Sequence, residues 1–205
     1  MSIKFEIKRK FMHIILGLSL IILLKYQIIS IIHLSIILIV GITTSIISKK
    51  YKIPIICHCL REFDRKTAKL PGQGVITFIL GVFLLVIIFG NNNIVYASIM
   101  ILTFGDSFAA IIGINLKKTK HLKRIKNPLS TEKVLEGTIV GIIFASLSSM
   151  IFVSIIEAVI ASTVAMIIEG VEWKFNKKII DDNVLIPLAA GFTIYFIRFF
   201  YLIHV

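Results

Sequence analysis

The chain has 205 residues, 57% of them hydrophobic, and a formal charge of +12. Soluble domains are roughly half apolar, so this composition excludes an ordinary water-soluble domain and points to one polytopic membrane domain, residues 1–205. The basic residues flank apolar runs and lack interleaved aromatics, which argues against nucleic acid as their partner.

Residues 1–10, MSIKFEIKRK, are basic and lead into an apolar run with no small-residue cleavage site, so the run reads as a first span. A spanning helix needs about 20 apolar residues. The candidates are 11–24 (with an extension to 30 open), 28–48, 72–89, 94–112, 137–156, 158–170 and 184–203. Residues 138–170 form one long apolar stretch whose only interior charge is Glu157. Two full spans barely fit there, and a tight hairpin or a shortened, kinked helix both remain open. The expected fold class is therefore an all-α integral membrane protein of about seven transmembrane helices.

Charge sets the orientation, because cytoplasmic loops collect Lys and Arg. With seven spans, 21 of the 23 basic residues fall on one side, in the N-terminus and in segments 49–71, 113–136 and 171–183. That arrangement predicts a cytosolic N-terminus. Lys25, the Asn91-Asn92-Asn93 turn and the turn near Glu157 go to the other side, with Arg198 snorkelling from the last span. Anionic lipid headgroups account for much of the basic excess, and the two loops with seven basic residues each also form a plausible polyphosphate cradle. Cys57-His58-Cys59 has no second ligand pair elsewhere, so it reads as reduced thiols and not as a metal site.

One carboxylate stands out. In ILTFGDSFAAIIG, residues 101–113, Asp106 lies among apolar and small residues, about two turns below the cytosolic face. Acids inside a membrane are costly and face a cavity, a cation or a partner. Gly105, Ala109, Ala110 and Gly113 either permit close helix packing or leave room for a ligand. Downstream, NPLSTEKVLEG brings Ser130, Lys133, Glu136 and Gly137 to the start of the next span.

GDSFAAIIG followed by a basic loop and STEKVLEG resembles the polyprenol kinase family, the CTP-dependent dolichol, phytol and diacylglycerol kinases, and more distantly the phosphatidate cytidylyltransferases. Three further segments resemble the kinases in the same order. EIKRKFMHIILGL matches an R-K-x-x-H-x-x-x-G opening through Arg9, Lys10, His13 and Gly17. REFDRKTAKLPGQG resembles their second cytosolic loop, and DDNVLIP their D-N-x-x-x-P run through Asp182, Asn183 and Pro187. The sequence departs from the family at Glu132 and Val134, where Lys and Thr are usual.

The resemblance implies phosphorylation of a long-chain isoprenoid alcohol by CTP in the bilayer, with the active site facing the cytosol. Phosphoryl transfer rests on positioning and charge neutralisation. Asp106, Glu136 and Asp182 are the expected Mg²⁺ ligands, since hard carboxylate oxygens suit that ion. Arg65, Lys66, Ser130, Lys133, Glu136 and Gly137 are the expected CTP-binding residues. Asp106 or Asp182 takes the proton from the lipid hydroxyl, and Asp106 is favoured because a submerged acid can reach an alcohol whose tail stays in lipid. Two other readings stay open: a cytidylyltransferase making a CDP-lipid, and a cation-coupled transporter using Asp106 as its ion site.

Overall fold

A computed structural model describes residues 3–51, 64, 68, 70–118, 134–171, 174–175, 178–179 and 181–204. The described chain is helical apart from one two-residue ladder. Its elements are α1 (Ile3–Lys25), α2 (Ile31–Tyr51), α3 (Gln73–Phe89), α4 (Asn93–Met100), a π-helical segment π1 (Ile101–Asp106), α5 (Ser107–Lys118), α6 (Leu135–Ser149), α7 (Ile155–Gly170) and α8 (Asp182–His204). Strands β1 (Lys174–Phe175) and β2 (Lys178–Ile179) pair antiparallel between α7 and α8. α4, π1 and α5 continue one another as a single rod, so seven helical rods occur among the described residues.

Three of these helices, Ile31–Tyr51, Asn93–Leu116 and Asp182–Ile203, are long and apolar enough to cross a membrane. Helices suit that setting because they satisfy every backbone group internally. The surface agrees with it. Ile32, Ile39, Ile151, Phe200 and Leu202 are exposed, whereas Lys10, Asp106, Ser107 and Ser162 are buried. An outside greasier than parts of the inside is consistent with a lipid-facing protein.

The α4–π1–α5 rod is the axis of the bundle, packed by α1, α3, α6, α7 and α8. α2 is peripheral and packs chiefly on α3, leaving an apolar groove of about 360 Å³ lined by residues such as Ile37, Gly41, Val75 and Ile79. Side-chain contacts fix which ends lie together. Asn183, opening α8, donates to Gly74 O at 3.1 Å and Thr77 Oγ1 at 3.0 Å in the first turns of α3. Ser45, late in α2, donates to Pro71 O at 2.6 Å. Gly137, opening α6, seats against Ala109 and Gly113 of α5. The starts of α1, α3, α6 and α8 thus share one end with the ends of α2, α5 and α7, and this end carries the basic segments.

Two boundaries and one side-chain role differ from expectation, each for a physical reason. α1 begins at Ile3, so Glu6, Arg9 and Lys10 belong to the helix and not to a solvated basic tail. Arg9 pairs with Glu6 one turn earlier, and Lys10 has a buried partner, so the charges need no water. The break in the 138–170 stretch lies at residues 150–154, and Glu157 sits in the first turn of α7 instead of between helices. Ser154 and Glu157 form a reciprocal capping box, satisfying backbone N–H groups at the helix start. Arg198 does not merely snorkel: its Nε donates to Glu157 Oε1 at 2.5 Å.

Candidate functional site

α1 presents Glu6, Lys10, His13, Gly17, Leu20 and Leu24 on one face, at the i, i+4, i+7 spacing that aligns residues along a helix. That face meets the axial rod. Gly17 permits the approach, since a Cβ there would lie 2.2 Å from Thr103 Oγ1. Seven residues earlier, Lys10 Nζ donates to Asp106 Oδ2 at 2.5 Å, and the two residues are 1% and 3% exposed. His13 Nε2 lies 3.8 Å from the same oxygen, its ring set edge-on to Phe78 at 4.6 Å. The carboxylate in the apolar stretch therefore has a cation as partner, which is the arrangement a buried charge requires.

Asp106 is the last residue of π1. A π turn inserts one residue, which rotates all that follows by about 100° relative to an α-helix, and such turns concentrate at functional sites. The rotation lets two faces of the rod be used at once. Thr103 and Asp106 face α1, while Gly105, Ala109 and Gly113 face α6, whose Gly137, Gly141 and Ala145 repeat the same four-residue spacing. A Cβ on Gly137 would lie 2.8 Å from Ala109 O, and one on Gly141 3.0 Å from Ala109 Cβ. The small residues around Asp106 thus serve close helix packing. Asp106 lies twelve residues before the end of α5, or about 18 Å along the axis. Thr103 and Ser107 are fully buried, and their hydroxyls have no hydrogen-bond partner among the described residues.

The remaining site residues lie nearer the basic end. Glu136 and Gly137 are in the first turn of α6, with Glu136 partly exposed. Asp182 opens α8 and is also partly exposed, while Asn183 is buried and ties α8 to α3. The backbone N–H of Asn183 donates to Asp181 Oδ1 at 3.0 Å, closing the turn into α8. Gly81 brings these two helices close, since a Cβ there would lie 2.2 Å from Asn183 O. Arg65, Lys66, Ser130 and Lys133 lie outside the described residues, as do Cys57, His58 and Cys59. Asp64 is described, and it is buried: its carboxylate accepts the N–H groups of Gly72 at 2.5 Å and Gly74 at 3.1 Å, capping the start of α3.

Among the described residues no group of three or more His, Cys, Asp or Glu could hold a metal ion, so Asp106, Glu136 and Asp182 do not form such a set. Mg²⁺ typically takes one or two carboxylates and completes its shell with phosphate oxygens and water. Asp106 is already matched by Lys10. Two pairings escaped the sequence reading, Lys10 with Asp106 and Glu157 with Arg198. The signals were present in the spacing Glu6, Lys10, His13, Gly17 and in Ser154-Ile155-Ile156-Glu157, a capping-box sequence.

No protein-family model matches the chain, and no solved structure matches it. A protein of Methanocaldococcus jannaschii, described as uncharacterized protein MJ1137, is 31% identical over 193 residues, which is 92% of each chain. Similarity at that level along nearly the whole length means that the chain belongs to the same family as this archaeal protein.

Proposed function

We propose that the protein is a multi-pass membrane enzyme, with seven spans and a cytosolic N-terminus, that transfers the γ-phosphate of CTP to a long-chain isoprenoid alcohol. What supports this reading is that Glu136 opens α6 and Asp182 and Asn183 open α8, whose start is tied to that of α3, at one end of the bundle, while most basic residues of the sequence fall in the segments that connect helices there. Such an end suits a polyphosphate, and the apolar flanks suit the alcohol's tail.

In this reading Glu136 and Asp182 hold Mg²⁺, which neutralises phosphate charge when bound. Lys133, Arg65 and Lys66 supply cations to the CTP phosphates, and Ser130 and the amides near Gly137 supply donors at the start of α6. Asp182 is the carboxylate better exposed to a lipid hydroxyl. It accepts the hydroxyl proton as the oxygen attacks the γ-phosphorus and the bond to the β-phosphate breaks, leaving a lipid monophosphate and CDP. Asp106, enclosed with Lys10, acts from beneath as part of the scaffold.

Purified protein supplied with γ-labelled CTP, Mg²⁺ and a panel of polyprenol, shorter isoprenoid alcohols and diacylglycerol tests the reaction. Label should enter an isoprenoid monophosphate. Absence of labelled lipid with every acceptor sinks the kinase reading, and lipid labelled only from α-labelled CTP identifies cytidylyl transfer instead.

A further inference from the structure

We propose that Lys10 is a positioning residue: through its buried pair with Asp106 it sets the register of the axial rod, and thereby the first turn of α6 that carries Glu136. This rests on the reading of Glu136 as a site residue, but its physical content is separate from any assay of phosphate transfer.

The connection runs through three contacts. Lys10 Nζ holds Asp106 Oδ2 at 2.5 Å where neither group reaches water. Asp106 closes π1, so the direction of its carboxylate and the register of α5 are one variable. Ala109, three residues on, meets Gly137 so closely that even a Cβ would lie 2.8 Å from the Ala109 carbonyl oxygen. A π turn is rare inside α-helices and carries one residue more than an α turn, so its persistence here calls for something to hold it. The ion pair supplies that hold, because turning the carboxylate away from Lys10 would separate opposite charges inside the bundle. Removing both charges takes away the hold while keeping the charges balanced. The rod is then free to relax towards α register, carrying Ala109 away from Gly137 and loosening the turn that contains Glu136.

The test is a cycle of Lys10→Met, Asp106→Asn and the double variant, using the full chain in lipid nanodiscs. Either single variant breaks the buried pair and unbalances its charge, and the thermal midpoint should fall by about 10 °C. The double variant should recover most of that loss. Amide hydrogen exchange in residues 135–141 of the double variant should nonetheless run at least about tenfold faster than in the parent, with α2 unchanged. If phosphate transfer is present, its turnover should fall at least about a hundredfold in the double variant while KM for CTP stays within about threefold.

Parental exchange rates at 135–141 in the double variant overturn the proposal, as does a Lys10→Met protein with the parental midpoint. A double variant with full turnover also overturns it, since the pair is then only structural. A parent protein that phosphorylates no lipid removes the reaction proposed above, and the exchange rates alone then decide the role of Lys10.

Discussion

Two ion pairs among the described residues join distant segments of the chain at different places in the bundle, and their settings differ. Lys10 and Asp106 join α1 to the axial rod with side chains 2% and 5% exposed. Glu157 and Arg198 join α7 to α8 at the far end, where the Arg198 side chain is 41% exposed. Both are drawn at 2.5 Å, so distance does not distinguish them. Surroundings do. Water or headgroups can take over the Arg198 charge, and Glu157, though buried, keeps its capping bond to the Ser154 N–H whatever Arg198 does. Lys10 and Asp106 are both held away from water. Similar chemistry is therefore a fastening in one place and a structural commitment in the other.

The largest effect expected from breaking this contrast is Lys10→Met, at about 3–5 kcal/mol of stability, because it removes one partner of a buried ion pair. Chemical denaturation in detergent measures it. The loss should hardly change between low and high salt, since a buried pair is poorly screened. A cost below about 1 kcal/mol would make the inner pair equivalent to the outer one and erase the distinction.

Next comes Gly137→Ala, which probes the packing face of the rod on which the inner pair's influence depends. Ala is the better helix former by about 1 kcal/mol, so an unconstrained site would gain stability. Here the new Cβ meets a backbone carbonyl that cannot swing aside. Overpacking should win, with a net loss of about 1–3 kcal/mol. Gly41→Ala on peripheral α2 is the control: its nearest neighbour would be Ile76 at 3.7 Å, ordinary contact, and it should be neutral or stabilising. Equal losses at both positions would mean that the stripe of small residues is not what seats α6 on the rod.

Asp64→Ala should cost less, about 1 kcal/mol, the usual worth of a cap. The carboxylate serves two N–H groups at the start of α3, and exchange at Gly72 and Gly74 should quicken first. No change in exchange there would show that the cap is dispensable and that Asp64 is available to a ligand.

The rods were legible because about 20 apolar residues in a row have few other uses, and four of the seven segments, 28–48, 72–89, 158–170 and 184–203, appear within about three residues of where the runs lie, while 94–112 runs on to 118 and 137–156 stops at 149. The first segment is instructive. α1 starts eight residues before its apolar run because three charges in its first turns find protein partners, and a hydropathy reading assigns such charges to water. The α6–α7 break was legible in principle from a capping sequence, but Glu157 reads as a boundary when counted only as a charge. Asp106 was legible as costly. Its partner was not, because pairing residues 10 and 106 depends on a π turn that no local pattern announces. Asp64 shows the converse: it reads as one charge in a solvated run, and three-dimensional proximity to a left-handed Gly72 made it a cap.

The smallest predicted effect completes the comparison from the outer side. Arg198→Met removes a half-exposed partner whose carboxylate stays hydrogen-bonded to the Ser154 backbone, so the loss should be about 0–1 kcal/mol. What remains of it should shrink as salt rises from about 0.05 M to 1 M, where the screening length drops to about 3 Å. Ser154→Ala should cost at least as much, about 1 kcal/mol, because it removes the hydroxyl that accepts the Glu157 N–H and leaves the ion pair in place. The order of these two variants tests which bond holds the start of α7. A large, salt-independent loss for Arg198→Met would mean that Arg198 lies in an environment as dry as that of Lys10, and that both ends of the bundle are locked by buried charge.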